Sequence, residues 1–109
     1  MLPKNRKPTH PGEILLKEFL EPQSIQQTQL AEHLGWTYTR LNEIVNQRRG
    51  VTADSALSFS EAFGTEPEFW LNLQMNWDLW HATQTHKPVK TLPKTLFHAA
   101  KNPDEDKNK

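Results

Sequence analysis

Residues 27–46, QTQLAEHLGWTYTRLNEIVN, constrain the fold more than any other stretch of the chain. Leu30 and Leu34 form an i, i+4 apolar pair, and Leu41 and Ile44 an i, i+3 pair. Each spacing places its two side chains on one face of a short helix. Gly35 stands between the pairs, where the first helix must stop and the chain turn sharply, a backbone position glycine takes without a Cβ clash. Ala31 is small on the inner face, so a second helix can approach closely. Trp36 is expected to plug the corner from beneath, and Thr37 to cap the second helix through its side-chain oxygen. Two short helices meeting at a tight corner follow.

Such a corner is the layout of a DNA-reading helix-turn-helix, although an ordinary helical hairpin with a polar outer face would show the same glycine and the same apolar spacing. Gln27, Ala31, Gly35 and Leu41 also stand at the offsets where the lambda-repressor-like (XRE) family carries Gln, small Ala, Gly and an apolar residue, and the stretch resembles that family. Aligned this way, the outward positions of the second helix are Thr37, Tyr38, Thr39, Asn42, Glu43 and Asn46, the expected base readers. A recognition helix enters the major groove with its N-terminal residues toward the base edges. Asn suits adenine through a bidentate pair, and a Thr methyl can touch thymine. Arg40 lies off this face and is expected to reach a phosphate, as are Gln27, Arg48 and Arg49.

A length of 109 residues allows one domain plus tails. An apolar fraction of 35% leaves a modest core, adequate for a bundle of about 60–75 ordered residues. Cysteine is absent, so disulfides and thiolate metal sites are excluded and a reducing cytoplasm fits. No run approaches the roughly 18–20 apolar residues of a membrane span, and the N-terminus lacks a signal-peptide core. A soluble cytoplasmic protein without membrane association is expected.

The formal net charge of zero argues at first against nucleic acid, whose binders are usually basic. The distribution of that charge points the other way. Residues 1–49 carry seven Lys/Arg against five acids, and residues 50–86 carry five acids and no Lys/Arg. The remaining residues carry six lysines against three acids. Positive charge thus gathers at Lys4, Arg6, Lys7, Arg40, Arg48 and Arg49, around the expected reading head. The acidic half is available to a basic protein partner, or is simply a solvated surface.

Five helices are expected, making an all-α domain over residues 11–83. Residues 1–10 read as a basic arm, and 84–109 as a polar, disordered tail. The first helix starts at Pro11, buries Ile14, Leu15, Phe19 and Leu20, and stops at Pro22. The second and third span about 28–34 and 38–46. The fourth runs from Thr52, its N-cap, to Phe63 with Ala56, Leu57, Phe59 and Phe63 inward, and Gly64 ends it. Thr65-x-x-Glu68 is a capping-box signature for the fifth. On that helix Trp70, Leu73, Trp77 and Trp80 form one stripe. Three Trp on one helix exceed what a small core needs: one of them with Phe69 could complete it, so some of Trp70, Trp77 and Trp80 are candidates for a homodimer interface, although all three could instead pack within the monomer.

The flanks narrow the resemblance. HPGEILLKEFLEP at 10–22, NQRRGVTADSALSFSEAFGTEPEFW at 46–70 and LNLQMNWDLW at 71–80 are similar to the HigA-type antitoxins, also labelled virulence-associated protein I. The match covers about residues 8–82. It implies a compact five-helix lambda-repressor-like domain that represses its own promoter as a dimer and binds an mRNA-cleaving toxin encoded beside it. One departure is notable. Val45 stands where many lambda-repressor-like domains carry a Glu that pairs with an Arg of the first helix, so apolar packing is expected in place of that ion pair.

Catalysis finds no support. His10, His33, His81, His86 and His98 lack metal-ligand spacing, and surface or capping roles account for them. No Gly-rich phosphate loop or nucleophile context occurs. The expectation is a non-enzyme without cofactor or metal, its partners being double-stranded operator DNA and a cognate toxin. The alternative is a protein-interaction module that uses the helical corner only as a scaffold.

Overall fold

Five helices pack in chain order in a computed structural model that describes residues 6–96. The chain enters α1 through His10, whose extended backbone and ring form the N-cap: Nδ1 accepts the Gly12 N–H at 2.8 Å. Pro11 follows at the first helical position, where its missing N–H leaves nothing unsatisfied. Gly12 lies against the third helix so closely that an added Cβ would sit 1.8 Å from the Ile44 carbonyl oxygen. Each residue of the His-Pro-Gly start therefore has its own mechanical reason.

α1 is α-helical over Pro11–Ile14 and continues as a π-helix over Leu15–Leu20. The wider turn aligns residues five apart. Leu15 and Leu20 consequently both reach the core, fully buried, which a regular 3.6-residue period would not allow. Pro22 lies in the turn that follows.

α2, Gln27–Leu34, ends at Gly35 with φ +73°. The Trp36 N–H bonds the Ala31 carbonyl at 2.9 Å and the Gly35 N–H the Glu32 carbonyl at 3.1 Å, the paired closure of a Schellman motif. α3, Tyr38–Val45, is capped as expected, the Thr37 hydroxyl accepting the Arg40 N–H at 3.1 Å. Leu30, Ala31, Leu41 and Ile44 are all buried at the corner. Val45 is buried too, so apolar packing stands where the family's ion pair would be.

α4, Ala53–Phe63, opens on a Thr52–Ser55 capping box and closes at Gly64. Ala56 and Phe59 face inward, but Leu57 is 50% exposed, and the inner face is completed by Ser55 and Ser60. Helix periodicity explains the correction: Leu57 follows buried Ala56 by one position, about 100° around the axis.

α5, Pro67–Thr85, also departs from expectation. Its N-cap is Glu66, and Pro67 takes the first helical position. Thr65 lies outside the helix, and its hydroxyl accepts the indole N–H of Trp70 at 2.8 Å instead of capping. Trp70 itself is 0% exposed, with ring centroids of Phe59, Phe19 and Phe69 at 5.0–5.1 Å. Its candidacy for a dimer surface is therefore overturned: this one of the three tryptophans of the helix fills the centre of the core. Trp77 and Trp80 remain half-buried.

Lys7 holds its ammonium 4.8 Å from the Trp77 ring centroid, and the edge of His10 meets Trp77 at 4.8 Å. Residues 84–96 are exposed. The rest of the expected arm and tail, including Lys4 and His98, lies outside the described residues.

Two consequences for stability follow from the start of α1. Gly12→Ala forces α1 off α3, and overpacking of this kind costs about 2–3 kcal/mol, which chemical denaturation would read as a lowered midpoint at unchanged slope. Burial lowers the pKa of His10 from its ordinary value, with His81 acting the same way and Asp78 and Glu13 opposing. The unfolded chain therefore takes up this proton more readily below about pH 6.5. The stability carried by the cap is present above that pH and lost as the pH falls through and below it. Thermal melts between pH 7.5 and 5 should show a steeper decline for the native chain than for His10→Asn, which keeps a capping acceptor that does not titrate.

Candidate nucleic-acid interface

The outward face of α3 is polar along its length. Thr37, Tyr38 and Thr39 are exposed at its start, Asn42 and Glu43 half-buried at its middle, and Asn46 exposed at its end. Residues 38, 42 and 46 follow at i, i+4 spacing and so stand one above another. Their side chains are bonded together. Asn42 Nδ2 donates to the Tyr38 hydroxyl at 3.2 Å and to Gln27 Oε1 on α2 at 2.9 Å. Asn46 Nδ2 donates to Asn42 Oδ1 at 2.9 Å and to the Asn42 carbonyl at 3.0 Å. Gln27, expected to meet a phosphate, thus also ties the two helices of the corner together.

Of the three arginines expected beside this face, two are held and one is free among the described residues. Arg40 lays its guanidinium over the Trp36 ring at 3.7 Å and reaches Asp54 at 3.4 Å. Trp36 in turn packs on Phe59 at 5.4 Å, so the expected plug beneath the corner also carries a cation. Arg49 bonds Glu43 Oε1 through both Nε and Nη2, at 2.9 and 2.6 Å. Gln47, at φ +65°, turns the chain back, and the Arg48 and Arg49 N–H groups both bond the Glu43 carbonyl. That reversal places the two arginines beside the end of α3. Arg48 is exposed, and among the described residues its side chain makes no ion pair or hydrogen bond.

The loop after α3 is fixed from α5. Gln74 Oε1 accepts the Val51 N–H at 2.7 Å, its Nε2 donates to Asp78 at 2.9 Å, and a Cβ on Gly50 would press the same amide at 2.9 Å.

The positions on this face were legible residue by residue in the sequence, but not the bonds among them. The 38-42-46 spacing of three hydrogen-bonding side chains was the available signal for the ladder. No local signal pointed to the bond between Gln27 and Asn42, fifteen positions apart.

The sequence pattern of the helix-turn-helix family matches residues 16–70. Virulence-associated protein I of Dichelobacter nodosus is 41% identical over 90 residues, covering 82% of this chain and 83% of that protein. Antitoxin HigA-1 of Vibrio cholerae is 39% identical over 93 residues, covering 84% and 87%. The solved structure of antitoxin GraA in complex with its operator superposes with a TM-score of 0.75 at 41% identity, over 85% of this chain and 99% of that one. A glycine-closed corner, a Thr-capped second helix and this similarity over most of the length agree: the chain belongs to the helix-turn-helix family, among the HigA-type antitoxins and virulence-associated protein I.

Proposed function

We propose that this protein is a sequence-specific DNA-binding repressor and the antitoxin of a type II toxin–antitoxin pair. On this reading it binds double-stranded DNA upstream of its own gene, acts in the cytoplasm as a homodimer, and neutralises an mRNA-cleaving toxin. The observation that carries the DNA half is the face of α3, where polar side chains stand in register at i, i+4 spacing with arginines beside it. Similarity to an antitoxin solved in complex with its operator supports it. The family is one of regulators and not an enzyme class, and the role needs no cofactor.

Thr37, Tyr38, Thr39, Asn42, Glu43 and Asn46 form the surface offered to the major groove. Gln27, Arg40, Arg48 and Arg49 flank it as phosphate contacts. A two-fold dimer places its recognition helices about 34 Å apart on successive major grooves. Trp77 and Trp80, half-buried on one stripe of α5, are the surface we assign to that dimer.

Fluorescence anisotropy against the upstream DNA and a scrambled duplex, at two salt concentrations, tests the reading. A preference of about 10³-fold or more for the upstream duplex is expected; equal or absent binding to both would leave the corner as a protein-interaction scaffold. Arg48→Ala should weaken binding to both duplexes alike and lower the salt slope by about one. Glu43→Gln removes the negative charge that pairs with Arg49, so affinity for the scrambled duplex should rise and the salt slope steepen.

A further inference from the structure

The side-chain ladder on α3 decides which of its members can touch a base. An Asn amide has two N–H donors and one oxygen with two acceptor sites. Both Asn42 donors are engaged, one on Gln27 Oε1 and one on the Tyr38 hydroxyl. Its Oδ1 already accepts from Asn46. A bidentate contact with adenine needs a free donor for N7 beside an acceptor for the N6 amino group, and Asn42 has no donor left. The Tyr38 hydroxyl is different: it accepts from Asn42, which leaves its own hydrogen to point away from the helix. Tyr38 is 49% exposed in the first turn of α3, the part of a recognition helix nearest the bases. Gln27 is likewise fixed by its oxygen, and among the described residues nothing takes its Nε2 donors.

We propose that Asn42 is a positioning residue, that it sets the Tyr38 hydroxyl as a hydrogen-bond donor to a base edge, and that this donor is the specificity-determining group of the helix. The inference rests on the DNA-binding reading and deepens it. A lone donor selects an edge that offers an acceptor without an adjacent donor. Guanine, with N7 and O6, and thymine, with O4, meet that condition; adenine places its N6 donor beside N7, and cytosine presents a donor. Through the same amide, a phosphate held by Gln27 Nε2 is coupled to the base held by Tyr38.

The test uses the full chain, Tyr38→Phe, Asn42→Ala and the double variant, with thermal melts to establish that each is folded. Anisotropy is measured on the upstream duplex, on a panel with each base pair changed in turn, and on duplexes carrying 7-deazaadenine, which lacks the N7 acceptor. Each single variant should lose about tenfold or more in affinity and flatten the preference at one shared guanine or thymine position. The double variant should be no weaker than either single one, and 7-deazaadenine should change nothing. A merely structural Asn42 would weaken all duplexes evenly without touching that one preference, which overturns the proposal. Losses that multiply, or a 7-deazaadenine position that the native chain senses and Asn42→Ala does not, would show Asn42 reading adenine directly and also overturn it. If Asn42→Ala does not fold, Tyr38→Phe and 7-deazaadenine decide: an unchanged base preference in Tyr38→Phe sinks the idea. A native chain that fails to distinguish the upstream duplex from the scrambled one overturns the DNA-binding reading itself, a result visible before any variant is compared.

Discussion

The contact on which the outward face of α3 depends is the approach of α1 to α3 at Gly12. A helix backbone can lie against a carbonyl of its neighbour only where no Cβ intervenes, and here a Cβ would be driven into the Ile44 oxygen. Ile44 belongs to the helix that carries Tyr38, Asn42 and Asn46, so the depth of this contact sets where that helix stands. His10 secures the other side of it by holding the Gly12 N–H. Two fully buried leucines, brought into line by the π-helical stretch, hold the rest of α1 on the core. The outward face of α3 can therefore be polar throughout, because its position is secured from behind.

Charge is distributed to the same end. A protein of zero net charge has little long-range attraction for a polyanion, and the ion pairs here offset two of the arginines locally. Glu43 holds Arg49, and Asp54 meets Arg40. Exposed pairs of this kind contribute little to stability; on the proposed reading their larger effect would be to temper sequence-independent binding. A chain that depends on counterion release alone would bind any duplex. On the DNA-binding reading proposed above, discrimination would then fall to the hydrogen-bonding pattern of the α3 ladder, and no basic surface is required.

What was legible in the sequence was local. Gly35, Thr37, Thr52 and Gly64 announce helix ends because capping is decided within four or five residues, and all four stand where that chemistry puts them. Sequence and structure part where tertiary packing competes for the same atom. The Thr65 hydroxyl has the right spacing for a capping box, but Pro67 starts the helix and the buried Trp70 indole needs an acceptor, which an unpaired burial would make costly. Which of the three Trp completes the core was open for the same kind of reason: counting aromatic residues says how much area must be covered, not which ring is covered by Phe19, Phe59 and Phe69. The outward positions of α3 could be named from spacing, whereas their mutual bonds depend on how α2 and α3 cross.

α5 links two surfaces that the sequence presents as separate. Gln74 holds the Val51 N–H and abuts Gly50, and so fixes the loop carrying Arg48 and Arg49. One turn on, Asp78 holds the Gln74 amide from behind, and Trp77 meets both His10 and Lys7 at the start of α1. The half-exposed Met75 and Leu79 lie on this same helix. A partner seated there, whether a second copy of the chain or another protein, would press on the element that sets both the arginine loop and the root of the N-terminal arm. Binding at that surface and binding at α3 would then share a mechanical element, and a ligand that favours one seating of α5 must shift the affinity of the other site reciprocally. Regulation of DNA affinity by a protein partner would thus require no movement within α3, only a change in how firmly α5 holds the loop behind it.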